Sequence, residues 1–311
     1  MKVLSHILLI FTVLAASSCK NTGYTVFRGY AQGGEYRVVA NMKGSRVPAR
    51  KMSKQIEDIL TAIDTTLSGY NRNSMLSRFN AGEEIVPNKI FLDVLAASDR
   101  YKDLTGGAFD AGAGPLFDIW GFGFKNDSLP SQERIAEAME ECRLGRTLNF
   151  NAIAQGYTCD TIASYLRSAG VVDMLVDIGE IYCSGQNASG KGWTIGIDTP
   201  EDGNDRPGEK MSGIWESDGG SYGVVTSGNY RKFYIRDGKK YAHTIDPRTG
   251  YPVTHNLLSA TVAAPTATEA DALATFFMVI GFDEAKDWVL AHDGLEACLI
   301  TTDSLWRSPG F

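Results

Sequence analysis

The segment Tyr241-Ala-His-Thr-Ile-Asp-Pro-Arg-Thr-Gly250-Tyr-Pro brings several reactive side chains together. His243 ends a strand-like stretch, and Asp246-Pro247 with Gly250 forms a tight-turn signature. The spacing predicts an imidazole, a carboxylate and exposed backbone N–H groups beside one another. Such a turn can hold phosphate oxygens through its amides. It is equally the form of a structural turn closed by a hydrogen-bonded histidine. A second group is Ala267-Thr-Glu-Ala-Asp-Ala-Leu-Ala-Thr275. Asp271 and Thr275 stand four residues apart near a helix start, so their oxygens share one face. A carboxylate and a hydroxyl suit Mg²⁺, which takes hard oxygen ligands and keeps places for phosphates and water. An Asp near a helix N-terminus also serves the helix dipole or caps the helix.

Two glycine-bearing segments add to these. Gly107-Ala-Phe-Asp-Ala-Gly-Ala-Gly-Pro-Leu-Phe-Asp-Ile-Trp-Gly-Phe-Gly123 mixes aromatics with glycines. That composition lets backbone approach a flat ligand closely, or builds a packed irregular loop. Asn149-Phe-Asn-Ala-Ile-Ala-Gln-Gly-Tyr157 passes from a strand into a helix. Its helix N-terminus is either an anion site or an ordinary junction. The chain holds no P-loop, and Gly106-Gly107 is not a dinucleotide fingerprint.

The elements that must position these groups follow from periodicity. Ile56, Ile59, Leu60, Ile63 and Leu67 recur at helical spacing. Phe91, Val94, Leu95 and Leu104 mark a helix stopped by Gly106-Gly107, and Ser131 caps another running to about Cys142. Helices are also expected over 153–169, 268–280 (closed by Gly281) and 284–292. Strands are expected over 36–40, 148–150, 172–178, 193–197, 222–225, 231–236, 258–264 and 295–301, with Asp237-Gly238 as a hairpin turn. Residues 201–221, rich in Gly, Asp, Glu and Ser, read as an excursion loop. With no repeat and no dividing linker, the order suggests one α+β unit of two interlocked lobes.

Hydrophobic residues make up 43% and charged residues 22% of the 311, which is enough for a sizeable core. The formal net charge is −7. Such an acidic balance argues against a nucleic-acid partner. The start of the chain has its own pattern: Lys2, an apolar run over Ile7–Ala16, then Ser17-Ser18-Cys19. This is a secretory-signal layout, too short for a spanning helix of about 20 apolar residues. Small residues before Cys19 resemble a bacterial lipobox, so residues 1–18 are expected to be removed and Cys19 acylated. Residues 19–23 then form an anchored linker and 24–311 the working domain. A plain cleaved signal peptide is the other reading. Cys142, Cys159, Cys183 and Cys298 form no CxxC pair, which excludes the usual structural zinc spacing, and they are expected as isolated buried thiols.

Taken in order, the four reactive segments resemble the ApbE family of FAD:protein FMN transferases. Leu67-Ser-Gly-Tyr70, Ser74-Met-Leu-Ser-Arg-Phe-Asn80, Val176-Asp-Ile-Gly179 and Thr226-Ser-Gly228 resemble it too, and the similarity spans about Gly29 to Gly281. The resemblance implies an α+β, ApbE-like (T-fold-like) architecture of mixed sheets with flanking helices and FAD in a cleft between interlocked lobes. It implies Mg²⁺ held by Asp271, Thr275 and the Ala152 carbonyl. Flavin and adenosine contacts carry over to Tyr70, Ala108, Phe109, Asp110, Asn149, Gln155 and Ile245, and to Gln32 where Met is usual. His243 matches the family's active-site histidine, and Asp246 is a second candidate catalytic group. Asn149 replaces a frequent Asp, Gln155 a Lys or Glu, and Gly179-Glu180 lacks one Gly of a usual pair.

The implied reaction moves FMN from FAD to a Thr or Ser hydroxyl of a partner protein and releases AMP. FAD pyrophosphatase activity and non-catalytic FAD binding are the alternatives. The expected acceptor is a membrane-associated redox subunit, and the expected location is the periplasmic side of a membrane, through a lipid anchor.

Overall fold

Alternating burial builds the central sheet. A computed structural model describes residues 23–122, 129–201, 203–204, 208–230, 233–236 and 239–311. Strands β1 (Tyr24–Ala31), β2 (Gly34–Asn41), β3 (Met174–Asp177), β4 (Ile181–Ser184), β5 (Ser221–Gly228), β6 (Leu257–Ala264), β7 (Glu296–Thr301) and β8 (Leu305–Arg307) form one eight-stranded sheet. Every neighbouring pair is antiparallel, and the spatial order repeats the chain order. Side chains alternate across it: Val38, Val176 and Val262 face one side, Val39, Leu175 and Ala263 the other.

Helices cover the first face. They are α1 (Ala49–Leu67), α2 (Met75–Asn80), α3 (Lys89–Leu104), α4 (Gly114–Ile119), α5 (Gln132–Arg143), α6 (Ala154–Ser168), α7 (Ala267–Ile280) and α8 (Phe282–Ala291). α1 buries Ile56 and Leu60, and α6 buries Ile162 and Leu166, against β2 and β3. α7 buries Leu273 and Phe277 against β5, β6 and β7. Each such side chain stabilises the fold by about 1.5–3 kcal/mol. α3 packs Phe91 and Val94 on the far end of α1, and α4 with α5 encloses a separate cluster around Leu116 and Ile135. The opposite face is covered by a hairpin of Thr194–Asp198 with Met211–Glu216, which lays Trp193, Ile195 and Trp215 on Val39, Leu175 and Val224.

That hairpin corrects the reading of 201–221 as a loop. Met211–Glu216 is a strand because buried Trp215 needs the sheet face beneath it, and its polar residues line the solvent side. The strand expected at 148–150 is also absent. Leu148 exchanges hydrogen bonds with the Asn80 side chain, and the Asn149 N–H donates to Ala111 at 2.7 Å. Bonds to one side chain and to one loop carbonyl make no ladder. Helices α3, α5, α6, α7 and α8 stand where periodicity put them, within a few residues, and α1 contains the expected Ile56–Leu67 stretch but starts earlier, at Ala49. Gly281 closes α7 at a φ of 86°, and Ser131 caps α5 through the Arg134 N–H. Strands Phe233–Arg236 and Lys239–Ala242 pair as expected, while Asp237-Gly238 lies outside the described residues.

The registers gather three connections at one end of the sheet: the β1–β2 tip Gln32-Gly33, the β3–β4 turn Ile178–Glu180 and the end of β5 at Ser227-Gly228. The candidate site opens there. Cys142, Cys159, Cys183 and Cys298 are buried and free. Cys19 and the apolar run before it lie outside the described residues, among which no helix is long and apolar enough to cross a membrane.

Candidate functional site

Helices α6 and α7 lie antiparallel, and each caps the other. The N-cap of α6, Ile153, has no side-chain oxygen, so one of the orphan N–H groups of that helix must find a distant acceptor. The Gly156 N–H donates to Asp271 Oδ2 on α7 at 3.0 Å. In return, Asp160 on α6 accepts the N–H groups of Ala267 (2.9 Å) and Thr268 (2.8 Å) at the start of α7. Gly156 allows this approach: a Cβ there would lie 2.3 Å from the Ala267 carbonyl oxygen. Gly223 on β5 does the same from the sheet side, where a Cβ would stand 2.2 Å from Ala267 Cα.

Asp271 is 4% exposed, and its second oxygen makes no hydrogen bond among the described residues. Burial pushes its pKa up to about 7; the Gly156 N–H opposes that rise and nearby Asp160 adds to it. A buried carboxylate so placed fits a cation. Thr275 stands one turn further along α7 on the same face, 3.5 Å from the Ser227 hydroxyl of β5. Ala152 lies one residue before the α6 N-cap, so its carbonyl is outside that helix's own ladder. Among the described residues no three His, Cys, Asp or Glu side chains cluster as a metal site. Asp271, Thr275 and Ala152 line the same cleft, and their carboxylate, hydroxyl and carbonyl are hard oxygens of the type that fits Mg²⁺ with phosphate and water.

These groups line a cleft of about 930 Å³, within the range of small-molecule sites. Its lining takes in twelve of the residues singled out in the sequence: Gln32, Tyr70, Ala108, Phe109, Asp110, Asn149, Ala152, Gln155, His243, Ile245, Asp271 and Thr275. Phe109 and Ile245 are buried, giving apolar walls, whereas Tyr70 is 72% exposed at the rim. Asp110 is held by Lys102 at 2.9 Å and accepts the Gly112 N–H at 2.7 Å. The Asn149 carboxamide oxygen accepts the Asn151 N–H at 2.9 Å. Gln155 donates to the Ile178 carbonyl at 3.0 Å, folding against Gly179, and Gln32 donates to the Thr158 hydroxyl at 2.8 Å. Gln32 holds a φ of 52°, the left-handed conformation that the tight β1–β2 tip demands.

Asp246 is not among the lining residues. Its carboxylate accepts the Arg248 backbone N–H and two guanidinium N–H groups, each at 2.9 Å, and its carbonyl accepts the Gly250 N–H at 2.8 Å. It closes the turn on which His243 and Ile245 sit. Trp120 anchors that turn by donating to the Gly250 carbonyl at 2.8 Å, and the His243 ring meets Phe122 edge-on at 6.4 Å.

Sequence reasoning passed over Tyr30, Ser227, Asp160 and Gly156. Tyr30 and Ser227 line the cleft; Ser227 lies in the Thr226-Ser-Gly228 motif that entered without a role, and Tyr30 precedes Gln32 by two. Asp160 and Gly156 act across more than a hundred residues of chain; Gly156 lies in the Asn149–Tyr157 segment, which entered without naming its partner, and nothing local marks Asp160.

Residues 33–299 match the ApbE family. The chain is 32% identical to the FAD:protein FMN transferase of Haemophilus influenzae, with 97% of this chain and 94% of that protein covered. It is 32% identical to the Escherichia coli K12 FAD:protein FMN transferase, covering 93% and 89%. Among solved structures, the apo flavinyl transferase ApbE of Pseudomonas stutzeri superposes with a TM-score of 0.80 at 30% identity, covering 93% of this chain and 95% of that one. The flavin transferase ApbE of Vibrio cholerae gives 0.77 at 29%, covering 93% and 98%. With the fold, the cleft and these relatives in agreement over nearly the whole chain, the protein belongs to the ApbE family.

Proposed function

We infer that the protein is an FAD:protein FMN transferase. The observation that carries this is the convergence on one cleft of a buried, cation-seeking Asp271 with Thr275, the Ala152 carbonyl and the aromatic walls around Phe109. FAD spans the cleft, its rings against the apolar wall and Tyr70, its pyrophosphate toward α7. The oxygen of an acceptor Thr or Ser hydroxyl attacks the phosphorus of the FMN half. The P–O bond to the AMP half breaks, AMP leaves, and the hydroxyl proton passes to a base. His243, on the cleft wall, is that base in our reading, and Asp246 with Arg248 holds the turn that aims it. Bound Mg²⁺ would neutralise charge on the pyrophosphate and the departing AMP. Asp271, Thr275 and Ala152 would hold it, while the cleft sets the line of attack.

The N-terminal pattern supports a further placement. Residues 1–18 act as a lipoprotein signal, Cys19 carries the lipid, 19–23 form the linker and 24–311 the catalytic domain. The enzyme thus faces the periplasm from a membrane, beside a redox subunit that accepts FMN.

The test is purified protein with FAD and Mg²⁺, with and without an acceptor protein. Expected products are a flavinylated acceptor and an equal amount of AMP, with slow AMP release when acceptor is withheld. Tyr70→Asn should raise that acceptor-free release, since an aromatic ring over the cofactor contributes about 0.5–1.5 kcal/mol beyond its buried area. Rapid acceptor-free hydrolysis by the wild type, unchanged in the variant, would mean a pyrophosphatase. Tight FAD binding with no AMP under any condition would mean a storage protein.

A further inference from the structure

The two edges of the sheet differ. β8, at one edge, has three residues. β1, at the other, has eight, pairs with β2 without a bulge and contains no proline or lysine. Natural sheets shorten, bulge or charge their edges to stop other strands from adding. β1 shows none of the shortening or bulging, and its one charge, Arg28, is placed oddly. The register sets Arg28 directly opposite Arg37 on β2, and both are exposed. Like charges opposite one another weaken a sheet. Arg37 has Asp177 as its neighbour on β3, and that carboxylate feels its charge. Arg28 has no carboxylate within ion-pair distance among the described residues.

The hairpin geometry also fixes which backbone groups face outward. A two-residue turn makes Ala31 and Gly34 a hydrogen-bonded pair, so bonded pairs recur at Gly29, Phe27 and Thr25. The N–H and C=O groups of Val26, Arg28 and Tyr30 therefore point away from β2, and no other described strand pairs there. Val26 and Tyr30 are 45% and 73% exposed on the same face as Arg28. β1 runs toward the cleft end of the sheet, where Tyr30 and Gln32 join the lining.

We propose that β1 is the docking strand for the acceptor protein: an extended acceptor segment adds to its outer edge, places an acidic side chain beside Arg28, and thereby carries its Thr or Ser hydroxyl to the cleft. This rests on the transferase reading, which requires a protein to reach the cleft. Main-chain bonds to Val26, Arg28 and Tyr30 give affinity with little demand on sequence, and Arg28 selects the acidic residue. Asp177 offsets the charge of Arg37, whereas Arg28 gains a carboxylate only in the complex, which favours association with an acidic segment.

The probe is an acceptor domain that the wild-type enzyme labels with FMN, recognised by its flavin fluorescence and purified unlabelled from cells lacking the enzyme. Val26→Pro and Arg28→Pro each remove one outward N–H and leave the β1–β2 ladder intact. We expect both to bind FAD like the wild type and to lose transfer by about tenfold or more in kcat/KM for acceptor, with Arg28→Glu raising KM and sparing kcat. Should the proline variants fold poorly, hydrogen exchange on the wild-type enzyme decides: the Val26, Arg28 and Tyr30 amides must slow when acceptor is added. Unchanged transfer by folded variants, or unchanged exchange at those amides, overturns the docking strand. Concentration-dependent protection of the same amides in enzyme alone would assign the edge to a second copy and overturn it too. A wild type that labels no protein at all defeats the transferase reading itself, and the docking strand with it.

Discussion

Asp271 both caps α6, accepting the Gly156 N–H on one oxygen, and lines the cleft. Asp271→Ala should reduce transfer and Mg²⁺-dependent FAD binding on the order of 100-fold or more. Its effect on the empty protein should be small. An unsatisfied Gly156 N–H costs about 1–3 kcal/mol, and that loss is offset by no longer burying a charge. Flavin fluorescence titrations at several Mg²⁺ concentrations and a melting curve separate the two; normal FAD binding at limiting Mg²⁺ would remove Asp271 from the metal site. His255 gives a pH signature instead. Burial lowers its pKa below the usual 6.5, although the Met278 carbonyl 3.0 Å from its ring opposes that. The unfolded chain then binds more protons than the native one just below pH 6.5, so stability is lost as pH falls through that range. His255→Gln should remove this contribution: on going from pH 7.5 to 5.5 the variant's Tm should fall less, or rise more, than the wild type's, whose raised Asp271 acts in the opposite direction. Asp271 and Thr275 were legible in sequence because their relation is a helical repeat of four. Asp246 was legible as part of a tight turn, and its carboxylate, bound to Arg248 two residues on, closes that turn. Asp160 was not legible: its partners lie 107 and 108 residues on, and a mid-helix Asp usually faces water.

The reciprocal caps make α6 and α7 one unit, which gives Asp160 its weight. Asp160→Ala would strip the acceptor from two α7 N–H groups and the Thr268 hydroxyl. We expect a loss of about 1–2 kcal/mol in stability. Since Asp271 sits in the first turns of that helix, half-saturating Mg²⁺ for FAD binding should also rise several-fold. A melting curve together with the Mg²⁺ titration checks this; a lower Tm with unchanged Mg²⁺ dependence would confine Asp160 to structure. At this scale the sequence was most informative where one face is apolar, as in α1, whose Ile56, Leu60, Ile63 and Leu67 all face the core. It was least informative where polarity and pairing diverge. Met211–Glu216 sits in a run of Gly, Asp, Glu and Ser, and only the sheet beneath Trp215 makes it a strand. Leu148–Phe150 looks like a strand from its residue types yet has no ladder partner.

For the molecule as a whole, alternation says which side chains point in, but not which strand lies beside which, so the eight-stranded order had to come from the structure and not from the pattern. The N-terminal proposal belongs to this scale. Cys19→Ser should leave the protein unlipidated and move it out of the membrane fraction, and mass spectrometry of the mature N-terminus checks it; an unmodified residue other than Cys19 at that end would mean a plain secreted enzyme. The chain-order sheet has one more implication. Residues 42–173, 229–256 and 265–295, which hold most of the cleft, each leave one strand and return on its immediate neighbour, about 4.8 Å away. Each is therefore a parenthesis that opens and closes on adjacent rungs of the ladder, although Asp160 and Asp271 tie the first and the third to one another. A passage can therefore lengthen at its exposed turns without moving any rung of the sheet, whereas the residues that join it to its neighbours across the cleft must change together.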